Sequence, residues 1–311
     1  MKVLFMGTPD FAVRCLERLL KDGHEVAAVV SQADKPKGRG HKTVPTPVKE
    51  CAQKNGIEVF QPETLKDFSF KETLEKIDPE VIVVVAYGRI LPEYILNYPK
   101  YGCVNIHGSL LPKYRGAAPI QRCIINGEKK TGVTAMFMEK GLDTGDMILK
   151  KETEIKEGEN AEELFCRLAD LGAEALSETL SLFEKGEVFA EKQNDAEACY
   201  AEMLTKETGK IDWNKSAEEI INLIRGAYIW PVAHTKYNGE NLKIYSAVAG
   251  ENFENKKCGE IISADKNGLK VVCGGGESIL IKEAQFFGGK RMSICSYLNG
   301  HNIETNVLLG E

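Results

Sequence analysis

At 311 residues, 43% hydrophobic, 28% charged and with a net charge of −6, the chain is long enough for more than one core and too ordinary in composition for a disordered or fibrous protein. No run approaches the roughly 20 apolar residues of a membrane span, and a uniformly basic nucleic-acid binder is excluded, although a local basic patch on an acidic protein is not. Nine cysteines, an odd number with no CxxC pair, and five dispersed histidines argue for reduced thiols, a cytoplasmic location and no metal in the mechanism.

The start, MKVLFMGTPDF, holds an apolar run too short for a signal-peptide core and broken by Gly7 and Pro9. It reads as a first strand. DFAVRCLERLLKDG follows at helical spacing, then EVAAVVS as a second strand, which makes a β-α-β unit. The turn at Gly7 sits where a dinucleotide fingerprint would, but the second and third glycines of that motif are missing. A nicotinamide site is therefore disfavoured, and a tight turn is expected with Thr8 or Asp10 capping the helix.

DKPKGRGHK, between glycines, reads as a solvated, charged loop. Beyond it come a helix with Pro47 near its start, IEVF as a strand, EVIVVVAYG as a fully buried parallel strand, and a further strand ending in CVNIH. Strands alternating with helices predict an α/β domain, a doubly wound, Rossmann-like parallel-type sheet with its site at the carboxyl ends of the strands. GVTAMFME and GDMILKKETEI extend the sheet, and an amphipathic helix spans about 160–185. Past Gly186 the periodicity stops. We expect a first domain over 1–189, a linker over 190–205 and a second domain over 206–311, in which a helix at 217–227 precedes five short strands of a small antiparallel, OB-like barrel.

Chemistry concentrates in VNIHGSLLPKYRGAAPIQR. Asn105 and His107, two apart on a strand, share a face while Val104 and Ile106 point away. Taken alone, such a histidine reads equally as a hydrogen-bonded structural residue. The Gly- and Pro-punctuated loop after it is suited to frame a flat, partly apolar ligand. GLDTGD adds Asp143 and Asp146: turn chemistry accounts for Asp146, whereas Asp143 could orient and charge an imidazole. No nucleophile elbow and no P-loop lysine occur. The set suits direct acyl transfer, in which the substrate brings its own amine and the protein stabilises an oxyanion and moves protons.

SLLPKYRGAAPI after NIHG, with GTPDFA upstream and GLDTGD downstream, resembles the folate-dependent formyltransferase family over nearly the whole length, and in particular its members that act on charged tRNA. The resemblance implies transfer of the formyl group of 10-formyltetrahydrofolate to the amino group of methionyl initiator tRNA, with Asn105, His107 and Asp143 catalytic. It further implies folate contacts at Ser109, Leu110, Leu111 and Pro112 and along Ala86, Tyr87, Gly88 and Ile90, largely through the main chain. Lys35, Lys37, Arg39 and Lys42 would then belong to a tRNA-contacting insertion loop, and Lys206, Lys210, Arg225, Lys236, Lys243, Lys290 and Arg291 are candidates for a basic face on the second domain. A monomer without a metal is expected. Two alternatives remain at this point: a formyltransferase acting on a sugar-nucleotide amine, and a non-catalytic RNA-binding module.

Overall fold

The computed structural model describes residues 1–37 and 42–310. They form two compact units that interleave in sequence, one of residues 1–119, 130–154 and 165–201, the other of 120–129, 155–164 and 202–311. In chain order the elements up to 185 are β1 (Lys2–Gly7), α1 (Asp10–Lys21), β2 (Glu25–Val30), β3 (Lys35–Lys37), β4 (Lys42–Val44), α2 (Pro47–Lys54), β5 (Val59–Phe60), α3 (Lys71–Ile77), β6 (Val81–Val85), α4 (Glu93–Leu96), β7 (Cys103–His107), α5 (Pro119–Ile125), β8 (Lys130–Phe137), β9 (Met147–Glu154) and α6 (Ala161–Lys185).

The sheet of the first unit runs β5-β2-β1-β6-β7-β8-β9. Its five strands from β5 to β7 are parallel and β8 and β9 are antiparallel additions, so the expected doubly wound, parallel-type sheet is present with a mixed edge. All five residues of β6 are buried, which is why VIVVV shows no polar alternation. Leu4, Met6, Ile82, Val84 and Cys103 pack with Leu74 and Ile95 of α3 and α4 on one face. On the other, Gly172 of α6 lies so near Ile106 that an added Cβ would come 3.0 Å from its Cγ2. The strand order turns back between β1 and β6, and the crevice such a reversal opens lies at the carboxyl ends of the strands.

Two helix starts show how local chemistry sets the elements. Pro9, and neither Thr8 nor Asp10, stands at the N-cap of α1, and no side chain caps it. The expected Thr8 or Asp10 cap is thus corrected: the Thr8 hydroxyl donates instead to the Tyr87 carbonyl (3.2 Å), and Asp10 lies in the first turn, where its charge faces the positive end of the helix. At α2, by contrast, Thr46 accepts from the Lys49 amide (3.2 Å) with Pro47 at the first helical position.

The β3-β4 hairpin pairs Lys35 with Val44 and Lys37 with Lys42. Its base is tied by a polar network in which Lys49 Nζ donates to Asp34 Oδ2 and to Gln61 Oε1, both at 2.7 Å, and Gln61 Nε2 donates to Asp34 Oδ1 and to the Gln32 carbonyl, also at 2.7 Å. Hydrogen bonds from Lys49 and Gln61 hold the Asp34 carboxyl below its ordinary value of 3.8. A depressed carboxyl contributes stability that is complete above its unfolded value and is lost as pH falls through the lowered folded value. The network therefore persists at neutral pH and fails only in acid. Asp34→Asn should flatten the acid side of the stability profile, as read by chemical denaturation from neutral to acid pH, and leave the neutral-to-alkaline side parallel to wild type.

The second unit contains α7 (Ala217–Gly226), β10 (Ala233–Tyr237), β11 (Glu240–Ala249), β12 (Ile261–Asp265), β13 (Gly268–Val272), β14 (Ser278–Gln285), β15 (Met292–Ser293) and α8 (Ile294–Leu298). The five expected strands are present as an antiparallel sheet in the order β10-β11-β14-β13-β12, with β15 on β14. Ser216 and Glu219 close a capping box at α7, and Trp213, Ile220, Ile244, Val271 and Ile281 lie in its core, where Trp213 Nε1 donates to Thr235 Oγ1 (3.0 Å). Among the described residues no helix is long and apolar enough to cross a membrane.

Candidate active site

Strand β7 is buried along its whole length, and its alternation sends Asn105 and His107 to one face, about 7 Å apart along the strand. Both are nearly enclosed, at 9% and 6% exposure. His107 Nε2 is 2.9 Å from the Tyr114 carbonyl, which can only accept, so this nitrogen carries a hydrogen. Nδ1 faces Asp143 Oδ2 at 3.7 Å, within ion-pair range and beyond hydrogen-bond range. Each ring nitrogen thus looks onto an oxygen acceptor. Asn105 contrasts with this: among the described residues no protein group takes its side-chain amide, which keeps a little exposure at the site. Its two N–H donors are left for a ligand.

Strand β8 runs back beside β7, pairing Thr134 with His107 and Phe137 with Val104. The following loop must return along β7 to bring Asp143 to the imidazole. Asp143 adopts φ +53° there, and its Oδ2 accepts the Gly116 amide at 2.8 Å. Its carbonyl and that of Gly145 each accept from Gln193 Nε2 at 2.8 Å.

The loop after His107 is internally bonded. Ser109 Oγ donates to the Lys113 carbonyl (2.7 Å), and Tyr114, at φ +61°, aims its own carbonyl at the histidine. Thr134 Oγ1 donates to the Ser109 carbonyl (2.7 Å) and accepts from the Leu111 amide (3.1 Å), so one buried hydroxyl clamps both sides of the turn. Thr134→Val keeps the shape but strands a buried carbonyl and amide, and should cost about 1–3 kcal/mol in chemical denaturation. Leu111 packs with Met136 and Met147, Pro112 is buried and Leu110 half-buried. The Ser109 hydroxyl and the Leu111 side chain therefore hold the loop together, leaving Leu110 as its more accessible part.

The loop over 86–90 leaves the sheet beside this point, because Val84 pairs with Asn105 in the parallel register. Ala86 and Gly88 are exposed at φ +46° and +78°. The Tyr87 carbonyl accepts from Gln32 Nε2 (2.7 Å) and its ring is buried in the core, while Arg89 donates to the carbonyls of Pro62 (2.9 Å) and Glu63 (2.6 Å). Ile90 and Leu142 are left 76% and 60% exposed, apolar side chains on the two loops that flank the histidine.

The structure thus brings Asn105, His107 and Asp143 together, with the loops over 86–90 and 108–112 leaving the same end of the sheet. Lys35, Lys37 and Lys42 lie on the backbone of the β3-β4 hairpin, and Arg39 lies outside the described residues. In the second unit Arg225 is committed internally, to the carbonyls of Glu159 (2.8 Å) and Lys156 (3.2 Å), and Arg291 pairs with Glu283 between the rings of Tyr228 and Tyr245. Sequence reasoning missed Thr134, Arg115 and Gln193. Thr134 hides in a strand of β-branched residues, and Gln193 in a stretch whose lack of periodicity reads as a linker.

Among the described residues no group of three or more His, Cys, Asp or Glu side chains is placed to hold a metal ion. Among the described residues neither a serine nor a cysteine hydrogen-bonds a ring nitrogen of His107. The arrangement offers an amide donor, an imidazole and a carboxylate, the equipment for stabilising an oxyanion and moving protons while a substrate supplies the nucleophile.

Comparison with known proteins agrees with this chemistry. A family model described as formyl transferase matches residues 1–180, and one described as formyl transferase, C-terminal domain, matches 203–302. The chain is 53% identical to the methionyl-tRNA formyltransferase of Alkaliphilus oremlandii, covering 100% of both chains, and 52% identical to that of Caldanaerobacter subterraneus subsp. tengcongensis, covering 99% of this chain and 100% of the relative. Among solved structures, the N-formyltransferase from Helicobacter canadensis, in complex with folinic acid and dTDP-3-aminofucose, superposes with a TM-score of 0.69 at 22% identity, covering 90% of this chain and 98% of that one. At that identity the likeness speaks for the fold.

Proposed function

Because the chain belongs to the formyl transferase family, whose N- and C-terminal parts it matches in turn, we propose that it transfers a formyl group from a folate donor to the α-amino group of methionyl initiator tRNA. The observation that carries this reading is the identity of about half of all residues, end to end, with methionyl-tRNA formyltransferases. The donor is 10-formyltetrahydrofolate. Acting on charged tRNA, the enzyme works in the cytoplasm.

The amine nitrogen attacks the formyl carbon, the carbonyl oxygen becomes an oxyanion, and the bond from carbon to folate N10 then breaks, giving the formylated amine and tetrahydrofolate. Asn105 donates its unspent amide hydrogens to that oxygen. His107, whose Nε2–H is held by the Tyr114 carbonyl, supplies the second donor through Nδ1 once that nitrogen carries a proton, and Asp143 faces it from 3.7 Å. Each such donor is worth about 3 kcal/mol in the transition state. The amine loses a proton on attack and N10 gains one on leaving, and both transfers take place within reach of His107 and Asp143. The loops over 86–90 and 109–112, with Ile90 and Leu142 as apolar walls, would hold the pterin ring. Lys35, Lys37, Arg39 and Lys42 meet phosphates near the acceptor end, which makes tRNA affinity fall with rising salt.

The test is formyl transfer from 10-formyltetrahydrofolate with three acceptors: charged initiator methionyl-tRNA, a sugar-nucleotide amine, and none. Formylation of the tRNA alone supports the reading. Consumption of the donor with the sugar amine, or equally without an acceptor, overturns it.

A further inference from the structure

Asp143 sits at an unfavourable backbone conformation, φ +53°, in a loop that must return along β7 to reach His107. A non-glycine residue persists in the left-handed region when its surroundings over-determine it. What fixes it comes from 193–201, a stretch that reads in the sequence as a linker. Gln193 is buried, at 6% exposure, and both of its N–H donors and its oxygen are engaged: Nε2 donates to the carbonyls of Asp143 and Gly145, each at 2.8 Å, and Oε1 accepts from Arg115 Nε at 2.9 Å. Two carbonyls on one side and a guanidinium on the other admit a single orientation of the amide.

Arg115 is itself 2% exposed and its Nη2 donates to Asp195 Oδ1 at 2.8 Å. The same stretch grips the opposite wall of the site: the Arg115 amide donates to the Cys199 carbonyl (2.9 Å), its carbonyl accepts from Ala201 (2.7 Å), and Ala117 and Ala118 donate to the Ala201 carbonyl (2.9 and 3.1 Å). Gly116, in the middle of that wall, is the residue whose amide holds the Asp143 carboxylate. One strap therefore sets both the backbone and, through Gly116, the carboxylate of Asp143.

We propose that Gln193, held by the buried Arg115, is a positioning residue for the reaction: its amide places Asp143 at the imidazole of His107. The proposal rests on the assignment of Asp143 and His107 to catalysis made above. Gln193 touches neither of the reacting groups, and its effect is exerted through Asp143.

The experiment measures kcat, the KM of each substrate, the pH profile of kcat and the melting temperature for Gln193→Leu, Gln193→Glu, Asp143→Asn and Gln193→Leu/Asp143→Asn. Gln193→Leu removes both N–H donors, and because a displacement near 1 Å at a reacting centre costs on the order of 10²-fold, kcat should fall by about 10- to 100-fold. Both KM values should stay near wild type, and the pH profile should shift as the carboxylate loses its place beside the ring. Gln193→Glu keeps the acceptor for Arg115 and so the strap, but opposes an oxygen to two carbonyls. It should be slowed comparably, and it carries the test if the leucine variant does not fold. In the Asp143→Asn background the leucine substitution should cost less than about twofold, the non-additivity of two groups acting through one contact. Wild-type kcat in both Gln193 variants, with Asp143→Asn impaired, overturns the positioning role. Full additivity, with the losses tracking melting temperature, overturns it in favour of a purely structural one. An unimpaired Asp143→Asn overturns the underlying site assignment instead.

Discussion

Replacing His107 with alanine should lower kcat for formyl transfer by about 10²- to 10³-fold, the loss typical of one oxyanion donor, with little change in the KM of either substrate. The size follows from where the imidazole sits. It is 6% exposed, so water cannot take its place as a pre-oriented donor without rearrangement, and Asn105 is left as the remaining donor on that face. The restriction to kcat follows from what stays. Asp143 keeps the Gly116 amide on its carboxylate and Gln193 on its carbonyl, so its loop does not depend on the histidine. The Tyr114 carbonyl loses the ring but remains at the limit of reach, 3.5 Å, of the Ser109 hydroxyl. Binding of folate and tRNA, measured by equilibrium titration, should therefore be near wild type while single-turnover transfer is slow. A kcat within tenfold of wild type would remove the imidazole from the chemistry, and a loss of both binding and melting temperature would make it structural.

The parallel-type sheet, the face shared by Asn105 and His107 and the antiparallel strands of the second unit were legible because each rests on a pattern of short range: a buried run such as VIVVV, a period of two, and turns between short β-branched segments. The start of α1 was misread for an equally local reason. Thr8 has a partner far away in sequence, the Tyr87 carbonyl, that competes with capping. What could not be read is long-range. Gln193 and Arg115 are 78 residues apart, and Gln193 and Asp143 are 50 apart, so no periodicity or spacing exposes their hydrogen bonds. The stretch from 190 to 201 lacks an amphipathic pattern because its bonds are backbone pairings and single polar side chains, which leave no periodic trace.

Gly145 gives the second large effect, and for a reason that turn chemistry alone does not supply. GLDTGD reads as a turn bounded by conformationally free glycines, yet Gly145 is not in the left-handed region, and Asp143 is. Gly145 is required by space: an added Cβ would lie 1.9 Å from the Phe137 carbonyl oxygen and 2.9 Å from its carbon. That obstacle is backbone in strand β8, whose Phe137 amide accepts no slack because it donates to the Asp146 carbonyl at 2.9 Å. The loop must therefore yield, and with it the Gly145 carbonyl that shares Gln193 with Asp143. Gly145→Ala should accordingly reduce kcat by about 10²-fold, the cost of an ångström-scale displacement of a catalytic group. The melting temperature should fall only modestly, since Gly145 is buried but the loop residues that move with it, 141–144 and Asp146, are half-buried or exposed. Because this route runs through Asp143, the loss should shrink in an Asp143→Asn background while remaining full in an Asn105→Ala background. Equal losses in both backgrounds would mean that the alanine perturbs the sheet and not the carboxylate.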